Sequence, residues 1–135
     1  PLYASHLRMP RPSDPLLSGW HAVNAIREWR GDTHWAIVAS SGNSFVHETE
    51  SQLVLNGSYD IGFTMDLACK DLGFATQCGR RFGVPLELAG LVEQTFIRAR
   101  SQYGGDAWSS QVVKLLEDAL GTDLRAPGFP ASLTD

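Results

Sequence analysis

The fold of this chain is decided by ten residues near its middle, Gly62-Phe63-Thr64-Met65-Asp66-Leu67-Ala68-Cys69-Lys70-Asp71. They lie in a segment from Ile61 to Arg81 whose apolar residues recur at the period of one helix face. The apolar positions are 63, 67, 68, 72, 75, 78 and 82. Burying the charge of Lys70 or Asp71 within such a pattern is unfavourable unless the charge is paired. The segment predicts a central helix that carries either a functional ion pair or a partly exposed structural pair.

Three shorter helices are predicted on the amino-terminal side of this segment. They cover about residues 15–29, the stretch between Asp32 and Gly42, and residues 45–55. Gly31 is expected to interrupt the first, after which Asp32 can cap the second. The third should end at Asn56-Gly57, a pair typical of turns.

Two further helices are predicted on the carboxy-terminal side. Gly83-Val84-Pro85 should end the central helix and begin the next, in which apolar residues from Leu88 to Tyr103 repeat at helical spacing. After Gly104-Gly105, Asp106 or Ser109 can cap a last helix that ends at Gly121. No stretch alternates apolar and polar residues, so we predict an all-α fold, a bundle of five or six short helices.

Composition excludes several classes of function. The net charge is −4, and the 11 lysines and arginines form no basic stripe, which argues against nucleic acid as a partner. No apolar run approaches the roughly 20 residues of a membrane-spanning helix, and the chain starts without a signal-like segment, so a cytoplasmic location is expected. Cys69 and Cys78 lie nine positions apart on one predicted helix, too far for a disulfide, and are expected to be free and buried.

Few motifs of this sequence carry chemistry. It contains no glycine-rich phosphate loop and no serine in a G-x-S-x-G setting. If the first two helices fold back on each other, a cluster of His21, Glu28, Asp32 and His34 forms a candidate acid–base or metal site, although its spacing matches no established metal signature. No metal is therefore expected, and Lys70 and Asp71 remain the leading candidates.

Several motifs together resemble one known family. From about Asn43 to Pro130 the chain is similar to the C-terminal helical domain of β-hydroxyacid dehydrogenases, the group that includes 3-hydroxyisobutyrate dehydrogenase and glyoxylate/succinic semialdehyde reductase. The matching motifs are Val54-Leu55-Asn56-Gly57, Gly62-Phe63, Met65-Asp66-Leu67, Lys70-Asp71-Leu72-Gly73, Gly83-Val84-Pro85-Leu86 and Gly104-Gly105-Asp106 before Trp108-Ser109. The resemblance implies a helical domain like the C-terminal domain of 6-phosphogluconate dehydrogenase.

The same resemblance implies roles for three residues. Lys70 matches a lysine that approaches the nicotinamide cofactor, NAD or NADP, and Phe63 and Asp71 match residues that line the pocket for a small hydroxyacid. It also implies a homodimer, because members of the family dimerise through this domain. A complete member adds a Rossmann domain and a catalytic lysine, which these 135 residues do not match. We therefore expect no turnover and no cofactor binding by this chain alone, which leaves open whether it is an enzyme.

The amino-terminal part resembles a different group. Residues 1–39, with Trp20-His21-Ala22 and the stretch from Arg27 to His34, resemble a fragment of an actinobacterial helix-turn-helix-like family. This predicts a division into an N-terminal helical segment, residues 1–42, and a dehydrogenase-like domain with an irregular tail, residues 43–135, as in a natural or engineered fusion. Two alternatives stay open, namely a ligand-free helical scaffold and a small enzyme that uses the histidine cluster.

Overall fold

A computed structural model describes residues 30–133 of the chain. Within them every regular element is helical, apart from one isolated β-bridge between Thr64 and Trp108. The elements are α1 over residues 30–38, α2 (Phe45–Asn56), α3 (Met65–Phe82), α4 (Glu87–Tyr103), a 3-10 helix (Ser109–Val113) and α5 (Lys114–Leu120). The predicted all-α fold is confirmed for this part of the chain. The helix predicted over about residues 15–29 lies outside the described residues.

The chain divides into two compact units, each of which is described by itself. In its described part, the first unit contains α1, α2 and the segment that starts at Leu124. The second unit spans Tyr59–Asp123 and contains α3, α4, the 3-10 helix and α5. The division near residue 42 that the two resemblances suggest stays a prediction.

Helix α2 of the first unit has the ends that its sequence predicts. The Ser44 hydroxyl accepts a hydrogen bond from the backbone N–H of His47 at 3.1 Å, and Gly57 ends the helix in the left-handed conformation. In the last turn of the helix, Leu55 forms a small buried cluster with Ala126 and Phe129. The Ala126 N–H donates to the Leu55 carbonyl at 2.9 Å, so the carboxy-terminal segment is held to α2 by both backbone and side chains.

The predicted interruption at Gly31 is wrong, and so is the predicted cap at Asp32. Residues 30–38 form one continuous helix that passes through both positions. A Cβ atom on residue 31 would lie 3.3 Å from the ring of Phe129, so the glycine allows that ring to pack closely against the helix. Close packing compensates the roughly 1 kcal/mol by which glycine weakens a helix interior, and local sequence does not reveal such a contact.

The second unit is built around the contact of α3 with α4. Met65, Ala99 and Leu115 form its buried cluster, one residue from each of α3, α4 and α5. Cys69, Phe96, Tyr103 and Val112 pack against this cluster. The turn at Gly83 and the end at Gly121 both adopt the left-handed conformation, so the predicted helix ends at these glycines are confirmed.

Helix α3 differs from its prediction in its start and in the face that it buries. It begins at Met65 and not at Ile61, because the Thr64 hydroxyl caps it by accepting from the Leu67 N–H. Its buried residues are Met65, Ala68, Thr76 and Gly79, whereas Leu67, Ala75, Cys78 and Phe82 are exposed. The predicted helical period is correct, but most of the predicted apolar face is exposed. The buried face is the one that packs against α4.

Two smaller predictions are also corrected in this unit. Cys69 and Cys78 are free thiols as predicted, but Cys78 is exposed because it lies on the side of α3 away from the core. The last helical region begins as a 3-10 helix after Trp108, with no side-chain cap from Asp106 or Ser109. The Ser109 N–H instead donates to the carbonyl oxygen of Phe63 at 2.8 Å.

Candidate functional site

The start of α3 is held by the loop that follows α4. The Met65 N–H donates to the Ala107 carbonyl at 2.7 Å, and the Asp66 N–H donates to the Gly105 carbonyl at 3.0 Å. The first N–H groups of a helix have no partner within the helix, so these bonds satisfy them. Together with the bond from Ser109 to Phe63, they fix the backbone of the residues that precede Lys70 and Asp71 by one to two turns.

A charged pair joins the same two elements through their side chains. The Asp66 carboxylate, in the first turn of α3, accepts from the guanidinium of Arg100 in the last turn of α4. The hydrogen bond and the charge of Asp66 raise the pKa of Arg100 above its usual range. A Cβ atom on residue 105 would overlap the Asp66 carboxylate, so any other residue there would require this side chain to shift. We did not predict this contact from the sequence. The helix dipole favours an acidic residue at the start of a helix and a basic residue at its end, so the positions of Asp66 and Arg100 were the available signal.

Lys70 and Asp71 form an ion pair on the surface of α3. Their charged atoms lie 3.1 Å apart, and their side chains are 51% and 56% exposed. The Lys70 ammonium also lies 6.0 Å from the centre of the Phe74 ring, one turn further along. Both charges of the predicted segment therefore lie at the surface, where solvent and a ligand can reach them.

Phe63 lies just before α3 and is only partly exposed. The structure brings Lys70 and Asp71 together, but no hydrogen bond, ion pair or ring contact joins Phe63 to either of them in the described residues. The roles of these three residues stay predictions.

Cys69, next to Lys70, has no features of a reactive thiol. Burial raises its pKa, and the smaller effect of the nearby Arg100 in the opposite direction does not reverse the shift. A raised pKa keeps the sulfur protonated and weakly nucleophilic. Its contact with the Met65 cluster makes it a core residue.

The cluster predicted around the first two helices is only partly described. His21 and Glu28 lie outside the described residues, Asp32 is exposed and His34 is buried. The Nδ1 atom of His34 lies 2.7 Å from the hydroxyl of Ser51, a partner on α2 that the sequence did not suggest. Across residues 30–133, no three side chains of the metal-binding types lie close enough to share an ion.

An opening lies in the unit Tyr59–Asp123, at the turn between α3 and α4. It encloses about 370 Å³ and is lined by Thr76, Gly79, Arg80, Gly83, Val84, Pro85, Leu86 and Gly90. None of the predicted site residues lines it. It belongs to the end of α3 that lies away from Lys70 and Asp71.

Comparison with known sequences identifies the family. The family described as NAD-binding of NADP-dependent 3-hydroxyisobutyrate dehydrogenase matches residues 32–116, well over half of the chain. The chain belongs to this family. The resemblance of the central motifs to β-hydroxyacid dehydrogenases is thereby confirmed. A helix-turn-helix family matches residues 1–52, so the two matches overlap between residues 32 and 52.

Curated relatives give the same assignment. The chain is 34% identical over 86 residues to a protein of Eubacterium barkeri named 2-(hydroxymethyl)glutarate dehydrogenase, covering 63% of this chain and 29% of that protein. It is 32% identical over 79 residues to one of Cupriavidus necator named L-threonate dehydrogenase, covering 58% of this chain and 27% of that protein. The chain thus spans less than a third of the length of these relatives. No solved structure matches the sequence significantly.

Across residues 30–133, none of the helices combines the length and the hydrophobicity that crossing a membrane requires. A cytoplasmic location stays a prediction from the sequence.

Proposed function

We propose that this chain forms one wall of the substrate and cofactor site of an NAD(P)-dependent β-hydroxyacid dehydrogenase. In this proposal Lys70 approaches the cofactor, and Phe63 and Asp71 line the substrate pocket. The observation that carries it is the half-exposed Lys70–Asp71 pair on a helix whose first turn is fixed by backbone hydrogen bonds to Gly105 and Ala107. A rigid helix that presents a cation beside a carboxylate is suited to recognising a polar ligand.

The chemistry of the pair matches part of each ligand. In keeping with these roles, Asp71 can accept a hydrogen bond from the hydroxyl of a hydroxyacid, and the Lys70 ammonium can donate to an oxygen of the cofactor. When bound, NAD(P) supplies or accepts the hydride. One ammonium group provides a single contact to the cofactor. The 135 residues contain no glycine-rich loop that would bind its phosphates. The sequence led us to expect no cofactor binding by this chain alone. Because Lys70 is exposed, we propose weak binding instead, and no turnover.

The ion pair itself offers little resistance to a ligand. Exposed pairs contribute about 0–1 kcal/mol to stability, because solvent screens both charges. Breaking the ion pair so that Lys70 and Asp71 bind groups of a ligand thus costs little free energy. A ligand-free helical scaffold, in which the two residues pair only with each other at 3.1 Å, is the competing hypothesis.

Replacing Lys70 tests the proposal directly. With the unaltered chain, we expect NADPH and 3-hydroxyisobutyrate to shift the backbone amide resonances of Phe63, Lys70 and Asp71, with a dissociation constant of about 1 mM. We expect Lys70→Ala to weaken this binding about tenfold, because a hydrogen bond to a charged group contributes about 1.5 kcal/mol. Nuclear magnetic resonance titration measures both quantities.

A matched control removes the same charge elsewhere on the same helix. Arg81 is an exposed cation near the end of α3, 5.7 Å from the Phe82 ring, and we expect Arg81→Ala to leave the affinity unchanged. Equal weakening by both variants would reveal a general charge effect. An unaltered chain whose resonances do not move at high ligand concentration would favour the scaffold.

We also propose that the chain forms a dimer through α3 and α4. Large apolar side chains stand exposed on both helices, among them Phe74 and Phe82 of α3 and Leu88 and Leu91 of α4. Exposed apolar groups in such number are typical of an interface between protein chains.

Phe82 is the residue whose replacement tests the dimer. Its side chain is 72% exposed, so Phe82→Glu is expected to place a charge in the interface without disturbing the core. Sedimentation equilibrium should give a dimer mass for the unaltered chain and a monomer mass for the variant. Phe45→Glu, at a 79% exposed position on α2, should remain dimeric. A monomer mass for the unaltered chain at high concentration would contradict the proposal.

A further inference from the structure

Two histidines stack on each other in the unit that contains α1 and α2. The ring centroids of His34 and His47 lie 5.0 Å apart with 30° between the planes. The His34 ring also contacts Trp35 and Phe129 in edge geometry, with centroid distances of 4.7 and 5.1 Å. Only 3% of His34 is exposed, so its ring has little contact with water.

Hydrogen bonds determine which nitrogen of each ring carries hydrogen. The Ser51 hydroxyl donates to the backbone carbonyl of His47, so it accepts from His34 Nδ1 at 2.7 Å. His47 Nε2 lies 3.2 Å from the carbonyl oxygen of His34, which only accepts, so this nitrogen also carries hydrogen. The Nε2 atom of His34 is buried and has no hydrogen-bond partner, so we assign this ring the neutral state.

This arrangement does not favour Ser51 as a nucleophile. An activated serine gives its proton to the imidazole, whereas the Ser51 proton is directed to a backbone carbonyl. The remaining reactive group of the cluster is the lone pair of His34 Nε2, which can accept a proton. A proton there would be a buried charge that needs a partner or water.

The charged groups around His34 do not supply that partner. Burial is the largest effect and lowers its pKa, and His47 on α2 lowers it further, while Glu48 on α2 raises it by less. His34 and the cation Arg30 of α1 both line a cleft of about 200 Å³. From the carboxy-terminal segment, Arg125 is directed to the Val54 carbonyl. Cation–π contacts with the neighbouring rings favour a proton, but they are weaker than the loss of solvation.

We propose that His34 is a pH-sensitive contact whose protonation releases the segment from Leu124 to Phe129 from α1 and α2. Phe129 packs on His34 and stacks with Trp35 at 6.1 Å, so it covers the buried ring. Its carbonyl accepts from the Asn56 side chain at 2.9 Å, which ties this residue to α2. Moving Phe129 away admits water to the protonated ring.

The direction of the pH effect follows from linkage. Once the segment is released, His34 has an ordinary pKa of about 6.5, and the packed state lowers it. The packed state is therefore fully stabilised above pH 6.5, and it loses that stability as the pH falls towards the lowered pKa. Burial raises the pKa of Glu50 on α2, so any contribution of Glu50 to stability changes with pH in the opposite direction.

Hydrogen exchange of the full chain measures the release. The Ala126 amide donates to Leu55 across this contact at 2.9 Å, and its protection reports how often the segment opens. After correction for intrinsic exchange, we expect protection of Ala126 to fall several-fold between about pH 7.5 and pH 5.5. The amide of Ala68, which donates to Thr64 within the second unit, should keep its protection.

Two further measurements make the proposal falsifiable. If His34→Phe folds, it should abolish the fall at Ala126, whereas Glu50→Gln should retain it. Should His34→Phe fail to fold, the ring resonances of His34 in the unaltered chain still give its pKa. The proposal is overturned if His34 titrates at or above its ordinary pKa, or if it titrates below that value while the protection of Ala126 stays constant.

Discussion

Met65→Ala is expected to destabilise the unit Tyr59–Asp123 by about 3 kcal/mol. Met65 has no exposed surface and lies at the centre of the cluster with Ala99 and Leu115. Truncating it removes most of a fully buried side chain and leaves a cavity that four helical elements surround. Urea unfolding measures the loss as a lower transition midpoint with an unchanged slope.

The control for this prediction lies two residues away. Leu67 belongs to the same turn of α3 and to the apolar pattern of the sequence, but it is 39% exposed. We expect Leu67→Ala to cost about 1 kcal/mol or less. A larger loss for Leu67→Ala than for Met65→Ala would mean that the buried face of α3 is the one suggested by the sequence pattern and not the one that contains Met65.

Gly79→Ala is expected to destabilise the same unit by about 2 kcal/mol. A Cβ atom at this position would lie 2.8 Å from Leu86 Cδ1 and 2.9 Å from the backbone oxygen of Val84. The Val84 N–H donates to the Gly79 carbonyl at 2.9 Å, so the turn cannot move away without breaking a hydrogen bond. This clash outweighs the roughly 1 kcal/mol by which alanine favours a helix. Thermal unfolding of the variant measures the difference.

Gly90 provides the matched control for this substitution. It lies within α4, and a Cβ atom there would meet nothing within 4 Å. Gly90→Ala should therefore stabilise the chain by up to about 1 kcal/mol through helix propensity alone. A stabilising effect of Gly79→Ala would contradict the tight contact between α3 and the turn after it.

Much of the fold could be predicted from local signals. Asn56-Gly57, Gly83-Val84-Pro85 and Gly121 end helices where the sequence places those ends, because the left-handed conformation at a helix end favours glycine. The prediction at Gly31 was wrong, because this glycine lies within α1 and leaves room for the ring of Phe129. Whether a glycine ends a helix or allows close packing within it therefore depends on residues that are distant in sequence.

The candidate site could be predicted less fully. The unusual Lys70-Asp71 pair and its motif were visible in the sequence, and the family match bears out the resemblance that they carry. Asp66 with Arg100, which join residues 34 positions apart, and His34 with Ser51, 17 positions apart, were not visible. No spacing rule connects such residues, because their contact depends on how helices pack.

The sequence by itself determined the helical fold, most helix ends and the family, because these depend on residue type, local spacing and motifs. Only the tertiary structure decided which face of α3 is buried, since Met65 and Leu67 are both apolar and only the first faces α4. It also decided that Lys70 and Asp71 are exposed and that His34 is enclosed. The physical reason is that burial is a property of the neighbours that pack on a residue, and those neighbours come from other parts of the chain.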